Sequence, residues 1–311
     1  MRTAIGVDVG GTGTKAAIVD TEGQILARSE RPTDPSAGTK GIISVIDDLT
    51  SKAPDLSVEI AGVGVGLAGF VDPASGKVSF SPNLTYDDPN VAAAVRARID
   101  VPVQVDNDAN VAAWGECRFG TAKGLEHVAM VTVGTGVGSG FVVAGSLLRG
   151  ATGAAAELGH MVIDPDGPPC PCGLRGCLEQ FASGTAIRRM AIEAVEQDPS
   201  SSILAFAGTP SSITAKHVAM AARQLDEAAR TVLRTAGRAL GIGLSNVVNI
   251  FDPQVIVLTG GVVNAGEPYL GPARDTLHEM NRVQRRRATR IDKASLGNDA
   301  GVIGAAALVL A

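Results

Sequence analysis

Several short stretches of this sequence hold residues whose types and spacing can do chemistry. Gly10-Gly11-Thr12-Gly13-Thr14-Lys15 presents backbone N–H groups and hydroxyls with no bulky side chain to obstruct a phosphate. Asp8, just before it, could hold a magnesium ion through water. A hairpin turn that needs positive φ would use the same glycines, and the spacing of a Walker loop is absent. Gly134-Thr135-Gly136-Val137-Gly138-Ser139-Gly140 repeats the pattern of strand, glycine/threonine turn and strand. Two matching loops at the ends of β-hairpins can clamp a polyphosphate from both sides, and the repeat suggests a duplicated domain.

Val105-Asp106-Asn107-Asp108-Ala109-Asn110 falls where a strand ends and a helix begins. One of these polar residues must cap the helix. The others exceed that need, and in an open α/β sheet such strand ends line the ligand crevice. A carboxylate placed there can accept the proton of a substrate hydroxyl during phosphoryl transfer.

His160 with Cys170, Cys172 and Cys177 has the composition of a closed Cys₃His zinc site. Nothing in that set leaves an open position for catalysis, so the metal would be structural. It would fold a Pro/Gly-rich loop that has too few apolar residues to fold alone. Glu157 and Glu179 flank the site, where the metal could fix them as hydrogen-bond acceptors for a polyol; either one alone reads as a surface residue. Gly260-Gly261, after the apolar strand Val255 to Thr259, suits an adenine or ribose and equally a tight turn. The string Gly64-x-Gly66-x-x-Gly69 matches a dinucleotide fingerprint in form only, because Phe70 to Gly76 reads as a strand end and a turn where a helix would have to begin.

The elements that must position these residues alternate between strand and helix. Thr3 to Val9, Lys15 to Asp20 and Gln24 to Ser29 read as a meander, Gly41 to Lys52 as a helix, and Ile60 to Val65 as a strand. Val91 to Ile99 reads as a helix, Val101 to Val105 as a strand, and a helix follows near Asn110. A strand pair lies within Val128 to Val143, an irregular loop spans Asp164 to Gly176, and the rest is mostly helical, with Ala215 to Ala222, Glu227 to Asn249 and Asp299 to Leu310 as helices. Polar Asp198 to Ser212 reads as a surface loop, and Cys117 as a thiol packed on a helix. This is a mixed α/β chain whose 311 residues suit two domains.

Composition excludes several classes. Glycine accounts for 38 of the 311 residues without a three-residue period, which sets aside collagen. The net charge of −5 argues against a nucleic-acid surface, and the five arginines between Arg282 and Arg290 read as a solvated helix face. The uncharged run Val128 to Leu148 is too rich in glycine, serine and threonine for a membrane span. No leader opens the chain, so a cytoplasmic protein is expected.

Asp8-Val9-Gly10-Gly11-Thr12, Asn107-Asp108-Ala109-Asn110, Glu157-x-Gly159-His160 and Cys170-x-Cys172-Gly173-x-x-Gly176-Cys177-x-Glu179, in that order and spacing, closely resemble the ROK family of bacterial sugar kinases and repressors. The segment Gly153 to Glu157 looks most like the family's glucokinases. The resemblance implies the actin-like ATPase (ribonuclease H-like) fold, with two related α/β domains and an active-site cleft between them. Residues 1–109 plus 298–311 would form the small domain and 110–297 the large one. It implies that ATP with Mg²⁺ phosphorylates a hexose, glucose first, at its 6-hydroxyl, with Asp108 as general base and a structural Zn²⁺. Gly69, Asn83, Asn107, Asp108, Glu157, His160 and Glu179 would bind the sugar, His160 giving one ring nitrogen to zinc and the other to sugar. Asp8, Gly10, Gly11, Thr12, Gly13, Thr14, Lys15, Gly134, Thr135 and Gly136 would hold the phosphates, and Gly260 and Gly261 would lie near the adenosine. A homo-oligomer, dimer or tetramer, is implied as well.

Two features depart from the family pattern. Gly11-Thr12-Gly13-Thr14-Lys15 replaces the usual Gly-Gly-Thr-Lys and resembles the polyphosphate-using glucokinases; those generally lack the cysteine motif, so ATP is the expected donor. Gly66-Leu67-Ala68-Gly69 lacks the proline many members place before the last glycine, which leaves mannose, fructose and N-acetylhexosamines as alternative substrates. A repressor of the same family is the rival from another class, disfavoured because the phosphate-loop strand begins at Thr3. A zinc-binding interaction module without chemistry is the third reading.

Overall fold

The computed structural model describes residues 1–81, 84–85, 89–281 and 289–310. In chain order these form β1 (Arg2–Val9), β2 (Gly13–Asp20), β3 (Ile25–Pro32), α1 (Thr39–Leu56), β4 (Glu59–Leu67), β5 (Phe70–Asp72), β6 (Lys77–Phe80), α2 (Val91–Arg96), β7 (Val103–Asn107) and α3 (Asp108–Phe119). There follow β8 (Val128–Val133), β9 (Val137–Val143), β10 (Ser146–Leu147), α4 (Glu179–Ala182), α5 (Gly184–Gln197), α6 (Ser202–Ala207), α7 (Ala215–Arg223), α8 (Glu227–Phe251), β11 (Val255–Thr259), α9 (Glu267–Met280), β12 (Arg290–Lys293) and α10 (Ala300–Leu310).

Two five-stranded sheets have the same plan. Their orders are β3-β2-β1-β4-β7 and β10-β9-β8-β11-β12, so in each the first strand is central, the next two lie to one side and the later two to the other. The glycine/threonine repeat seen in the sequence joins the first two strands of each sheet, β1 to β2 and β8 to β9. In the first sheet β1 pairs antiparallel with β2 and parallel with β4, which pairs parallel with β7. Parallel strands need covered faces, and β1 is buried along nearly its whole length.

The chain divides into two compact units, residues 1–130, 140–156 and 293–311, and residues 131–139 and 157–292. In the first unit Ile5, Val7, Ile18, Val63 and Val65 meet the apolar stripe of α1, Ile42, Val45, Ile46 and Leu49, on one sheet face. On the other face Ala4, Ala17 and Val19 meet Val302, Ile303 and Ala306 of α10. That helix lies so close that a Cβ at Gly64 would stand 1.7 Å from the carbonyl oxygen of Ala305, so only glycine fits. Helix α3, assigned from the sequence to the second domain, packs in the first unit, with its Trp114 indole donating to the Ala307 carbonyl at 3.3 Å.

The Asp198–Ser212 loop expected from the sequence is instead largely helical, with α6 and a 3₁₀ turn at Pro210–Ser212. Ser201 caps α6: its Oγ accepts from the Ile203 N–H at 3.3 Å, and the Asp226 carboxylate accepts from Ser202 N–H at 2.7 Å and Ser201 Oγ at 2.9 Å. Ile203 is fully buried beneath them. Of the arginine-rich run, residues 282–288 lie outside the described residues, and Arg290 begins β12. The glycine string ending at Gly69 leads from β4 into β5 with no helix, as its flanks implied. Among the described residues no helix is long and apolar enough to cross a membrane.

Candidate active site

In the first unit the β7–α3 junction places the polar cluster. Asn107 is the N-cap, its Oδ1 accepting from the Ala109 N–H at 2.8 Å and the Asn110 N–H at 3.2 Å. Its Nδ2 donates to the Gly69 carbonyl at 3.1 Å, which ties the cap to the loop after β4. Gly69 has φ of +137°, and a Cβ there would meet the Phe80 carbonyl oxygen at 2.2 Å, so glycine is required on both grounds. Asp108 is the first residue of α3, and its Oδ1 accepts from the Ala109 N–H at 2.9 Å. Burial raises the Asp108 carboxyl above its ordinary value, against the pull of the Ala109 and Asp108 N–H groups and the Asn107 side chain.

Asp8, at the end of β1, lies close enough to feel that charge. Its carboxyl is pushed up to about 6, by burial first and by Asp108 second, with Lys15 pulling it down. A carboxylate that burial leaves under-solvated beside another carboxylate fits a divalent cation, which would supply the missing counter-charge. The hairpin after it is tight, Gly10 N–H donating to the Gly13 carbonyl at 3.0 Å, yet none of its glycines has positive φ. Turn geometry therefore does not account for them. Thr14 is buried with its hydroxyl 3.0 Å from that of Thr33, which in turn donates to the Gly10 carbonyl at 2.7 Å. Thr14 thus braces the hairpin, while Gly11 and Thr12 face solvent.

In the second unit the matching hairpin closes in the same way, Gly134 N–H donating to the Gly136 carbonyl at 2.9 Å. Thr135 is at its tip. The first turn of α5 docks on it: Gly184 N–H donates to the Gly134 carbonyl at 2.8 Å and the Thr185 hydroxyl to the Thr135 carbonyl at 2.8 Å. Gly260, with φ of +97°, backs onto the Val133 carbonyl, which brings the Gly260-Gly261 turn beside this hairpin. Glu179 joins them, its Oε2 accepting from the Val137 N–H at 2.9 Å.

Glu179 stands at the end of the cysteine loop. His160, Cys170, Cys172 and Cys177 bring their ligand atoms within 4.8 Å of one another. Zn–S bonds of about 2.3 Å and a Zn–N bond of about 2.0 Å place tetrahedral ligand atoms roughly 3.5–3.8 Å apart. The observed Cys172 Sγ–Cys177 Sγ separation is 3.6 Å and Cys170 Sγ–His160 Nδ1 is 3.8 Å, so zinc fits and a disulfide, at about 2.05 Å, does not. Burial, with the Cys172 and Cys170 thiols beside it, pushes the Cys177 thiol up to about 12. His160 turns Nδ1 to the cysteines, leaving Nε2 for another partner. Ala156, just before Glu157, has φ of +68°, a strained conformation for a residue with a Cβ. Asn83 lies outside the described residues.

The family model named ROK matches residues 4–311. This chain belongs to the ROK family. Among its ROK relatives, a glucokinase of Streptomyces coelicolor is 39% identical, covering 99% of this chain and 98% of its own. The crystal structure of a ROK glucokinase from Streptomyces griseus in complex with glucose and AMPPNP superposes with a TM-score of 0.83 at 39% identity, over 98% of each chain. A xylose repressor of Bacillus subtilis is 29% identical over 99% of this chain and 77% of its own. As a ROK protein the chain has the actin-like ATPase fold.

Sequence reasoning missed Thr33, Gly184 and Thr185, which brace the two glycine hairpins. Thr33 sits at the end of a solvent-edged strand, and the α5 start resembles any capped helix, so nothing local marks either.

Proposed function

We propose that this protein transfers the γ-phosphoryl group of ATP to the 6-hydroxyl of a hexose, with glucose as the substrate. The observation that carries this reading is Asp108: a carboxylate on the first turn of a helix, raised by burial, capped into place by Asn107 and close enough to Asp8, beside a glycine hairpin, to raise that carboxyl too. Full-length likeness to glucokinases supports the substrate.

Asp108 Oδ takes the proton of the sugar 6-hydroxyl as that oxygen bonds to phosphorus and the bond to the ADP oxygen breaks, giving glucose 6-phosphate and ADP. A pKa above the ordinary carboxylate value makes Asp108 a better proton acceptor at neutral pH. Asp8 would hold the magnesium that accompanies ATP, which neutralises charge on the transferring group. The hairpins Gly10 to Lys15 and Gly134 to Gly136 would bind the phosphates through backbone N–H groups other than those of Gly10 and Gly134, which close the turns, and Gly260 and Gly261 would lie at the adenosine. Gly69, Asn83, Asn107, Glu157, His160 and Glu179 would bind the sugar hydroxyls. Zinc would hold the loop that carries Glu179 and orient His160. The same reading makes the protein a cytoplasmic homo-oligomer, whose assembly light scattering of the purified chain tests.

Asp108→Asn should lower kcat by about 10²–10⁴-fold in a coupled ADP assay while zinc content stays unchanged and the thermal midpoint does not fall, since the amide removes a charge that burial disfavours. Retained turnover would remove Asp108 from the chemistry. A panel of glucose, mannose, fructose and N-acetylglucosamine, each with ATP or polyphosphate, reads substrate and donor; the reading requires glucose and ATP to give the highest kcat/KM.

A further inference from the structure

Asp106 precedes the Asn107–Asp108 pair on β7, opposite Gly66 of β4, and its side chain is only 5% exposed. A carboxylate so buried must be paired or hydrogen-bonded. Its Oδ1 accepts from the Asn107 N–H at 2.8 Å and from Asn110 Nδ2 at 2.9 Å. Its Oδ2 accepts from Nε of Arg149 at 2.6 Å, a charge-assisted bond to a residue 43 positions away. The side chain of Arg149 is 32% exposed.

Arg149 begins the segment that leads to Glu157, and that segment is itself held down. Ala155 N–H donates to the Arg149 carbonyl at 3.2 Å, and Gly153 presses on the Val71 carbonyl so closely that a Cβ would stand 2.0 Å from its oxygen. Arg149 is thus anchored through its backbone, while its guanidinium clamps the strand end that feeds α3. Through Asp106 it reaches the Asn107 N–H and the Asn110 amide, which bracket Asp108 along the chain. Among the described residues the Asn110 Oδ1 is buried without a partner, and Asp106 is the side chain that holds that amide.

We propose that Arg149 and Asp106 are a positioning pair for the phosphoryl-transfer base: their ion pair locks the β7–α3 junction so that Asp108 is held at the angle proton transfer needs. This rests on the reading of Asp108 as the base. The two partners are unequal. Removing the guanidinium strands a buried charge, which relaxes by drawing in water or twisting the junction. Replacing the Asp106 carboxylate by an amide leaves an arginine that can turn to solvent and an amide oxygen that can still accept from the Asn107 N–H.

The test is a cycle of Arg149→Met, Asp106→Asn and the double variant, read as kcat, KM for ATP, KM for glucose and thermal midpoint. Misplacement of a catalytic group by about 1 Å costs about 100-fold, so Arg149→Met should lower kcat by about 30–100-fold with KM for ATP within about twofold. Asp106→Asn should lower kcat by only about fivefold, and the double variant should match it, so that removing the second charge rescues the first loss. Arg149→Lys, which keeps the charge, should stay within about fivefold of wild type. If Arg149→Met does not fold, Arg149→Lys, Asp106→Asn and the double variant carry the test, and recovery of folding and of kcat in the double variant supports the pair. Wild-type kcat in Arg149→Met, or a double variant no better than Arg149→Met, would overturn the proposal. If Asp108→Asn retains turnover, the base assignment falls and the pair proposal with it; if Asp108→Asn is inactive while Arg149→Met is unaffected, the pair proposal alone falls.

Discussion

Gly136 and Gly134 sit two residues apart in one hairpin and should respond to alanine in different ways. A Cβ on Gly136 would stand 2.2 Å from Oε2 of Glu179, well inside van der Waals contact, whereas one on Gly134 meets nothing within 4 Å. Neither glycine has positive φ, so alanine fits both backbones. The clash at Gly136 is with the free end of a side chain, so the fold can absorb it by swinging the carboxylate away. That swing breaks the 2.9 Å bond from Val137 N–H, a charge-assisted hydrogen bond of about 1.5–3 kcal/mol, and takes Glu179 from the position proposed for sugar binding. At about 1.4 kcal/mol per factor of ten, KM for glucose should rise by about 10–100-fold in Gly136→Ala. Gly134→Ala should leave KM for glucose within about twofold and raise KM for ATP, because its methyl enters the space proposed for a phosphate. Initial rates in a coupled ADP assay over a grid of glucose and ATP separate the two constants. A Gly136→Ala protein with unchanged glucose KM would refute the claim that this hairpin holds Glu179 where the sugar needs it.

Other perturbations follow from the buried carboxylates and the cysteine loop. The raised Asp108 carboxyl means that kcat should fall as pH drops through its folded-state pKa, with full activity above it, and the residual turnover of Asp108→Asn should lack that pH-dependent phase. For Asp8, a folded-state pKa of about 6 against an ordinary 3.8 means the fold binds that proton more tightly than the unfolded chain does, so Asp8 lowers stability progressively as pH rises from about 4 through 6. Asp8→Asn should therefore raise the thermal midpoint of the magnesium-free protein at pH 7.5, by at most about 3 kcal/mol of stability at about 1.36 kcal/mol per pKa unit, and lose that advantage at pH 4; an unchanged midpoint at pH 7.5 would count against the assignment. The same variant should lose most ATP-dependent turnover. Cys177→Ser should reduce zinc, measured by plasma mass spectrometry, from about one per chain to well below one, and lower the thermal midpoint by several degrees, as should a strong chelator; full zinc content in the variant would remove Cys177 from the ligand set.

Much of the site is legible in the sequence because its signals are local. A glycine/threonine turn between two β-branched runs declares a hairpin, and the Asp106–Asn110 polar run at the end of an apolar strand declares that one of its residues caps a helix, though not which one. The candidate metal cluster is legible because Cys170, Cys172 and Cys177 fall within eight residues of one another. Serine and aspartate, though, look the same in a loop and in a cap, which is why the segment around Ile203 reads as a surface loop and folds as a capped helix. The domain to which α3 belongs is not legible either, because it rests on how closely α10 approaches.

The sequence by itself determined the two hairpins, the α/β alternation, the cysteine cluster and the carboxylate at the β7–α3 junction, all of which depend on neighbours a few residues apart. Only the tertiary structure decided which of those parts meet: Asp8 near Asp108, Glu179 on the second hairpin, and Arg149 on Asp106. Those contacts follow from strand order and from backbones drawn together at glycines such as Gly64 and Gly153. Periodicity records which face of an element is buried; it does not record what that face is buried against.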